Sequence, residues 1–210
     1  MNIAVIAADG RLGREFVKSA LLAGHFVRAG VRKRAAFEQT ESIKVVHCDA
    51  TNASDIKKLM TDQDVVVSCI GHIKGSDPHV QTQATKVIVD VMNELQLKRF
   101  VTVTGTGVRF PGDKIGLVDR ILNTAVALID PDRVNDGRNH MKILQASNLD
   151  WTVIRLLKLQ NMPVRGFELL LHGPTKWLVG RKEVAKAILE VIEQDSFIKQ
   201  SPIIARRFSK

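Results

Sequence analysis

The sequence predicts an α/β fold of the doubly wound class, in which a parallel sheet is covered by helices on both faces. Short runs rich in β-branched residues alternate along the chain with longer amphipathic segments, which is typical of successive β-α units. The predicted strands are apolar on both faces, as expected between two layers of helices. The chain has 210 residues, 45% of them hydrophobic and 25% charged, which suits one compact domain spanning 1–210.

Seven strands and six helices can be placed in order. The strands are predicted at 2–6, 26–31, 44–48, 65–70, 100–104, 151–155 and 202–205. The helices are predicted at 12–23, 53–60, 80–95, 117–129, 137–146 and 182–193. We expect a small substrate-side cap from segments near 107–135 and 157–180, with loops at 107–116 and 157–180. The ligand site should lie under this cap, because ligands of such sheets bind at the carboxyl ends of the strands.

The stretch AADGRLG at 7–13 joins the first strand to the first helix. The N–H groups and the dipole of a helix N-terminus attract phosphate at such a junction. Gly10 and Gly13 stand where a diphosphate and tight packing require no side chain, and Ala7 replaces the first glycine of a G-x-x-G-x-x-G pattern. We expect Ala7 to be tolerated if its φ angle is negative. Gly10 is the stricter position, because a branched side chain there would fill the space that the diphosphate needs. An ordinary glycine-containing turn is the alternative.

The end of the second strand carries the basic stretch VRKR at 31–34. In dinucleotide-binding folds an acid at this place reads the ribose 2′-hydroxyl of NAD, whereas arginine accommodates the 2′-phosphate of NADP. Arg32 and Arg34 therefore favour NADP(H), and a solvated charge cluster is the alternative. After the third strand, Asp49 is placed to accept a hydrogen bond from the adenine amino group, or else to cap the following helix.

Charge and composition exclude several classes of partner. The net charge of +9 favours anionic ligands, but no nucleic-acid motif or aromatic platform is visible, so nucleic acid is not expected. No run of 18 apolar residues predicts a membrane span, and we expect a cytoplasmic protein. Cys48 and Cys69 lie near predicted strand ends, where we expect buried thiols and neither a disulfide nor a metal site.

Several motifs together resemble a known family. They are AADGRLG, VRKR, CDATN after the third strand, SCIGH after the fourth, KRFVTVTGTGV at the fifth, and RNHMKILQASNLDWTVIRLLKL at 138–159. The chain is similar through these motifs, over about 60% of its length, to atypical short-chain dehydrogenase/reductase proteins of the NAD(P)H-binding, NmrA-like class. That class includes biliverdin reductase B and NADPH-flavin reductases. The resemblance implies a Rossmann fold, an NADP(H) cofactor and oxidoreductase activity.

The resemblance also implies roles for individual residues. A diphosphate cradle is implied for Ala8, Asp9, Gly10, Arg11, Leu12 and Gly13, and a 2′-phosphate contact for Arg32. Asp49 and Ala50 would edge the adenine, and Cys69, Ile70 and Gly71 would lie along the ribose on the nicotinamide side. Thr104 and the turn at 105–107 would lie beside the nicotinamide, faced by Leu156 and Leu157.

The chain contains no tyrosine, so the Tyr-x-x-x-Lys pair of ordinary short-chain dehydrogenases is absent. Losing a positioned acid typically costs roughly 10²–10⁴-fold in rate, which disfavours reduction of simple ketones. Other candidates for chemistry are Thr104 and Thr106, which could orient a carbonyl, and His72 and His140, which could donate a proton through water. A backbone cap is the alternative role for the threonines, and a structural or exposed position for the histidines.

The leading hypothesis is an NADPH-dependent reductase that transfers hydride to a planar conjugated small-molecule acceptor, such as a flavin, quinone or tetrapyrrole. The alternative is a non-catalytic NADP-binding redox sensor, and a protein partner is expected only in that case. An isomerase or epimerase is disfavoured by the missing tyrosine.

Overall fold

The computed structural model describes residues 1–32, 37–73, 75–110, 112–114, 116–172 and 175–206. The strands in these ranges are β1 (Asn2–Ile6), β2 (Phe26–Val31), β3 (Ile43–His47), β4 (Val65–Ser68), β5 (Arg99–Gly105), β6 (Asp150–Leu156), β7 (Lys158–Gln160), β8 (Phe167–Leu170), β9 (Leu178–Gly180) and β10 (Ile203–Arg206). The helices are α1 (Arg11–Leu22), α2 (Ala53–Met60), α3 (Val80–Glu94), α4 (Leu117–Ile129), α5 (Pro131–Ala146) and α6 (Arg181–Glu193).

Eight of the strands form one sheet in the order β3-β2-β1-β4-β5-β6-β10-β8. All neighbours in it are parallel except β8, which runs antiparallel to β10 at the edge. A separate parallel ladder joins β7 to β9. The predicted doubly wound Rossmann fold is confirmed, and the strand order reverses between β1 and β4.

Helices cover both faces of the sheet and create two cores. On one face, Phe16 of α1 and Ile188 of α6 share a cluster with strand residues such as Val5. On the other, Ile88 of α3 and Leu144 of α5 pack with the alternate strand positions. Burial of such a side chain stabilises the fold by roughly 1.5–3 kcal/mol, and this burial holds the strand ends in register.

Some predicted boundaries were wrong. Helix α5 begins at Pro131 rather than at residue 137, because Asp130 caps it by accepting a hydrogen bond from the Arg133 N–H (3.3 Å) and proline suits the first helical turn. Strand β4 ends at Ser68, two residues earlier than predicted. The segment 157–180, predicted as loop, contains β7, β8 and β9. Their runs of three or four residues are too short for a periodic signal.

The two segments predicted to form the cap contact each other and the sheet. Arg155 of β6 forms a buried bidentate ion pair with Asp113, with 2.7 Å between Nη2 and Oδ1. The backbone N–H of Thr175 donates to Asp119, and that of Lys114 donates to His172 Nδ1. In the described parts of the chain, no helix is both long and apolar enough to cross a membrane.

Candidate cofactor and acceptor site

Most of the predicted cofactor-binding residues lie at one edge of the sheet. Because β1 to β6 are parallel, their carboxyl ends share this edge. The loop 7–13, Arg32, Asp49, the segment 69–71, Thr106 and Leu157 each follow one of these ends. Arg34 lies outside the described residues.

The turn at 7–10 leads directly into α1. The Gly10 N–H donates to the Ala7 carbonyl (3.0 Å), and Gly10 is the N-cap residue with extended backbone angles. No side chain caps α1, and its first turn holds no acid. The N–H groups of Arg11, Leu12 and Gly13 therefore have no partner within the helix. This arrangement can bind an anion.

Ala7 adopts a φ angle of +56°, contrary to the expectation of a negative value. The turn needs the left-handed conformation at this position, which costs an alanine roughly 1–2 kcal/mol. A glycine would adopt it without strain, which explains why the family pattern begins with glycine.

Of the two glycines in the loop, Gly13 leaves less room for a side chain. A Cβ atom on Gly13 would lie 2.3 Å from the Ala7 carbonyl oxygen and 2.7 Å from that of Ala8. A Cβ atom on Gly10 would lie 3.1 Å from the Ala7 oxygen. The first helix thus packs against the end of β1 through Gly13, and this contact aims its N-terminus at the edge of the sheet.

Two loop residues predicted to bind the cofactor have their own partners. Ala8 is fully buried, and its N–H donates to the Gly30 carbonyl of β2 (3.0 Å), so it offers no free amide. The Asp9 carbonyl accepts a hydrogen bond from Arg14 Nε (2.9 Å). Both residues shape the turn that leads to Arg11, Leu12 and Gly13.

Arg32 and Asp49 follow neighbouring strands. Arg32 is exposed at the end of β2. Asp49 accepts hydrogen bonds from the Thr51 N–H (2.9 Å) and Oγ1 (2.7 Å), which lower its pKa, and the charge of Arg32 lowers it further. Asp49 does not cap α2; Asn52 does, by accepting from the Asp55 N–H. Half-buried Ala50 follows Asp49 at the same edge.

The segment after β4 passes close to the α3 N-terminus. Cys69 and Ile70 are each 8% exposed, and the Ile70 carbonyl accepts from Gln81 Nε2 (3.1 Å). Gly71 is exposed, and a Cβ atom there would meet nothing within 4 Å. Burial raises the pKa of the Cys48 and Cys69 thiols to about 12, so neither is a thiolate at neutral pH.

The two candidate threonines lie at the end of β5, beside the end of β6. Thr104 is 5% exposed and lies against α5, where a Cβ atom on Gly137 would be 2.8 Å from its Oγ1. Thr106 is 3% exposed and its N–H donates to the Leu156 carbonyl (3.0 Å). Its hydroxyl has no hydrogen-bond partner among the described residues, which is unusual for a buried polar group. Leu156 is buried and Leu157 half-buried beside it.

His72 belongs to a buried network that the sequence did not reveal. Its Nε2 lies 2.9 Å from Asp136 Oδ2, and Asp136 is fully buried. Asp136 also accepts from the Gln81 and Thr82 N–H groups (2.9 Å each) at the start of α3. A carboxylate from α5 therefore caps α3 across the structure. This placement favours the structural alternative for His72.

The surroundings of His140 also favour a structural role. It is 2% exposed, and its Nδ1 lies 2.6 Å from Thr85 Oγ1. Burial lowers its pKa to about 4, so the ring is neutral at neutral pH. The described residues contain no cluster of three or more His, Cys, Asp or Glu side chains that could hold a metal ion.

The matching family model is described as NAD(P)H-binding and aligns with residues 7–195. The chain belongs to this NAD(P)H-binding family. The family assignment agrees with the resemblance predicted from the motifs. Among curated relatives, the uncharacterized protein YwnB of Bacillus subtilis is 27% identical over 158 residues, covering 73% of this chain and 70% of YwnB. Several other curated relatives are longer, and the chain covers a third or less of each.

Solved structures of other proteins share the fold of this chain. A short-chain dehydrogenase/reductase from Veillonella parvula, solved in complex with NADP, is 19% identical with a TM-score of 0.81, covering 98% of this chain and 94% of that one. ChuY, described as an anaerobillin reductase from Escherichia coli O157:H7, is 18% identical with a TM-score of 0.78, covering 100% and 99%. At these identities the likeness concerns the fold.

Proposed function

We propose that the protein is an NADPH-dependent reductase acting on a planar conjugated acceptor, such as a flavin, quinone or tetrapyrrole. The main support for this function is the set of side chains at the carboxyl end of β5, which among the described residues includes no acid for proton transfer. Two threonines, Thr104 and Thr106, lie there, and the chain has no tyrosine to serve as an acid. An acceptor whose product anion is delocalised does not need a side-chain acid, because water can protonate it.

The residues present fit a dinucleotide cofactor. The uncapped α1 N-terminus suits a diphosphate, and the exposed Arg32 at the end of β2 suits a 2′-phosphate. The Thr106 hydroxyl, buried and without a partner in the described structure, is available to a carboxamide or carbonyl group. When bound, the reduced nicotinamide supplies the hydride.

The chain itself would contribute position rather than acid–base chemistry. Thr106 would orient the nicotinamide amide or an acceptor carbonyl, and Leu156 with Leu157 would provide an apolar wall for a flat ring. Holding donor and acceptor in reacting geometry can supply several kcal/mol of the barrier. Reduction of a simple ketone would still lack the acid that it requires.

A panel of acceptors tests the proposed reaction. NADPH oxidation, followed by its absorbance, is expected with FMN, FAD or a small quinone. Negligible turnover is expected with NADPH and simple aldehydes, and in the reverse direction with NADP⁺ and secondary alcohols. Tight NADPH binding without turnover on any acceptor would favour the NADP-binding redox sensor acting through a protein partner. Robust alcohol oxidation would contradict the proposed acceptor class.

Replacing Arg32 with alanine tests the preference for NADP(H). A charged hydrogen bond contributes roughly 1.5–3 kcal/mol, so the substitution should weaken NADPH binding by about 10- to 150-fold and leave NADH binding nearly unchanged. Isothermal titration calorimetry with both cofactors measures this. Lys44→Ala, which removes a charge from the body of β3 rather than from a strand end, is the control. Equal affinities of the unmodified protein for NADPH and NADH would refute the preference.

A further inference from the structure

The helices α1 and α6 lie side by side and begin at the same edge of the sheet. Helix α1 follows the carboxyl end of β1, and α6 leads back to the start of β10, which is parallel to β6. Both helices contribute to one core on the same face. Their first residues, Arg11 and Arg181, therefore stand at the edge where the cofactor loop lies.

Arg181 is a buried cation without a carboxylate partner. It is 8% exposed, its Nη1 donates to Asn161 Oδ1 (2.6 Å), and its Nη2 reaches the Leu159 carbonyl at 3.5 Å. Elsewhere, the buried Arg155 pairs with Asp113, and the half-buried Lys176 pairs with Glu183. Within the described ranges, no carboxylate lies within 4.0 Å of the Arg181 guanidinium. A buried charge normally has such a partner.

The charges around Arg181 favour binding of an anion. Burial lowers the pKa of Arg181, the positive charge of Arg11 lowers it further, and Glu15 acts in the opposite direction. Arg11 itself occupies the first turn of a helix that has neither a side-chain cap nor an acid there. A cation at this place opposes the helix dipole. Glu183 already serves the N-terminus of α6 by accepting from the Gly180 N–H (3.0 Å), whereas no acidic side chain of the described residues caps α1.

We propose that Arg181 is a further cofactor-binding residue, which holds the diphosphate from the α6 side while Arg11 and the α1 N-terminus hold it from the other. This assignment rests on the proposed function. Asn161 holds Nη1 and the Leu159 carbonyl accepts one N–H of Nη2, which leaves the Nε–H and the second N–H of Nη2 to donate to the diphosphate. An arginine fork suits phosphate oxygens better than a lysine ammonium does.

Two nucleotides that carry different parts of the cofactor test this role. ADP has the diphosphate without a 2′-phosphate, and 2′-AMP has the 2′-phosphate without a diphosphate. Arg181→Met should weaken ADP binding by about 10-fold or more and leave 2′-AMP binding within 2-fold, as measured by calorimetry. Lys182→Met removes the same charge from the exposed next residue and should change neither affinity by more than 2-fold. Arg32→Ala should show the reverse pattern, losing 2′-AMP and retaining ADP.

The outcomes separate the two assignments. If the unmodified protein binds ADP and NADPH but Arg181→Met binds ADP as tightly as Lys182→Met does, the role of Arg181 is overturned and the proposed function stands. If the unmodified protein binds neither ADP nor NADPH, the role of Arg181 and the proposed function are both overturned. Thermal unfolding checks that each variant is folded. If Arg181→Met does not fold, Arg181→Lys is measured instead. An unchanged ADP affinity in Arg181→Lys then overturns the role of Arg181.

Discussion

Replacing Asp136 with alanine should lower the free energy of unfolding by about 3–5 kcal/mol, the range for breaking a buried charged network. The carboxylate is fully buried and serves the Gln81 and Thr82 N–H groups and His72 Nε2. Its loss would leave the two backbone N–H groups without this acceptor, whereas His72 Nε2 would keep the Pro78 carbonyl at 3.2 Å. Urea unfolding followed by circular dichroism measures the change.

Asp132 offers a matched control for Asp136. It lies one turn earlier on the same helix and is exposed in the first turn of α5. Its contact with the helix dipole is worth about 1 kcal/mol at most, so Asp132→Ala should have a small effect. If the two alanine variants unfolded at the same urea concentration with equal slopes, the buried carboxylate would not hold α3 to α5.

Gly13→Ala is expected to destabilise the protein by about 3 kcal/mol, the upper end of the range for overpacking. The added Cβ atom would overlap backbone oxygens of residues 7 and 8, which cannot rotate away as a side chain can. Relief requires α1 to move from β1, so cofactor affinity should fall as well. Denaturant unfolding and NADPH titration measure the two effects.

Gly10→Ala is the control for this substitution. Gly10 has a φ angle of −66°, which alanine adopts without strain, and the new atom would lie 3.1 Å from one carbonyl oxygen. The free energy of unfolding should fall by less than about 1 kcal/mol. A Gly10→Ala variant that lost as much stability as Gly13→Ala would show that the packing of α1 on β1 is not decided at Gly13.

Elements with a clear apolar pattern could be predicted from the sequence, and four of them, β1, β2, α2 and α4, have the predicted bounds. Helix α5 lost its first six residues in the prediction because its apolar positions begin only at Val134, whereas its true start is marked by the Asp130–Pro131 pair. Strand β8 had no such signal, since a four-residue edge strand depends on its partner β10 rather than on its own sequence.

Some residues of the candidate site could be predicted from the sequence, and others could not. The positions of the loop 7–13 and of Arg32 could be predicted because each comes directly after a predicted strand, and the strand ends of a parallel sheet meet at one edge. Asp136 and Arg181 could not be found in this manner, because their partners are 55 and 20 residues away. From the sequence alone, an aspartate inside one helix and an arginine at the start of another are both predicted to be solvent-exposed charges. One signal was available: the arginine in the apolar run WTVIRLL, at Arg155, marks a buried ion pair.

The antiparallel edge strand β8 has a consequence for how this protein can change during evolution. It covers β10, whose residues Ile203, Ile204 and Ala205 are buried, and without it their unpaired backbone would form an apolar sheet edge open to association with other chains. The same stretch, 157–180, runs from the end of β6 into the cap. Mutations that remodel the cap for a new acceptor must therefore preserve a strand that keeps the protein from aggregating. This segment can therefore change by substitution but not by deletion.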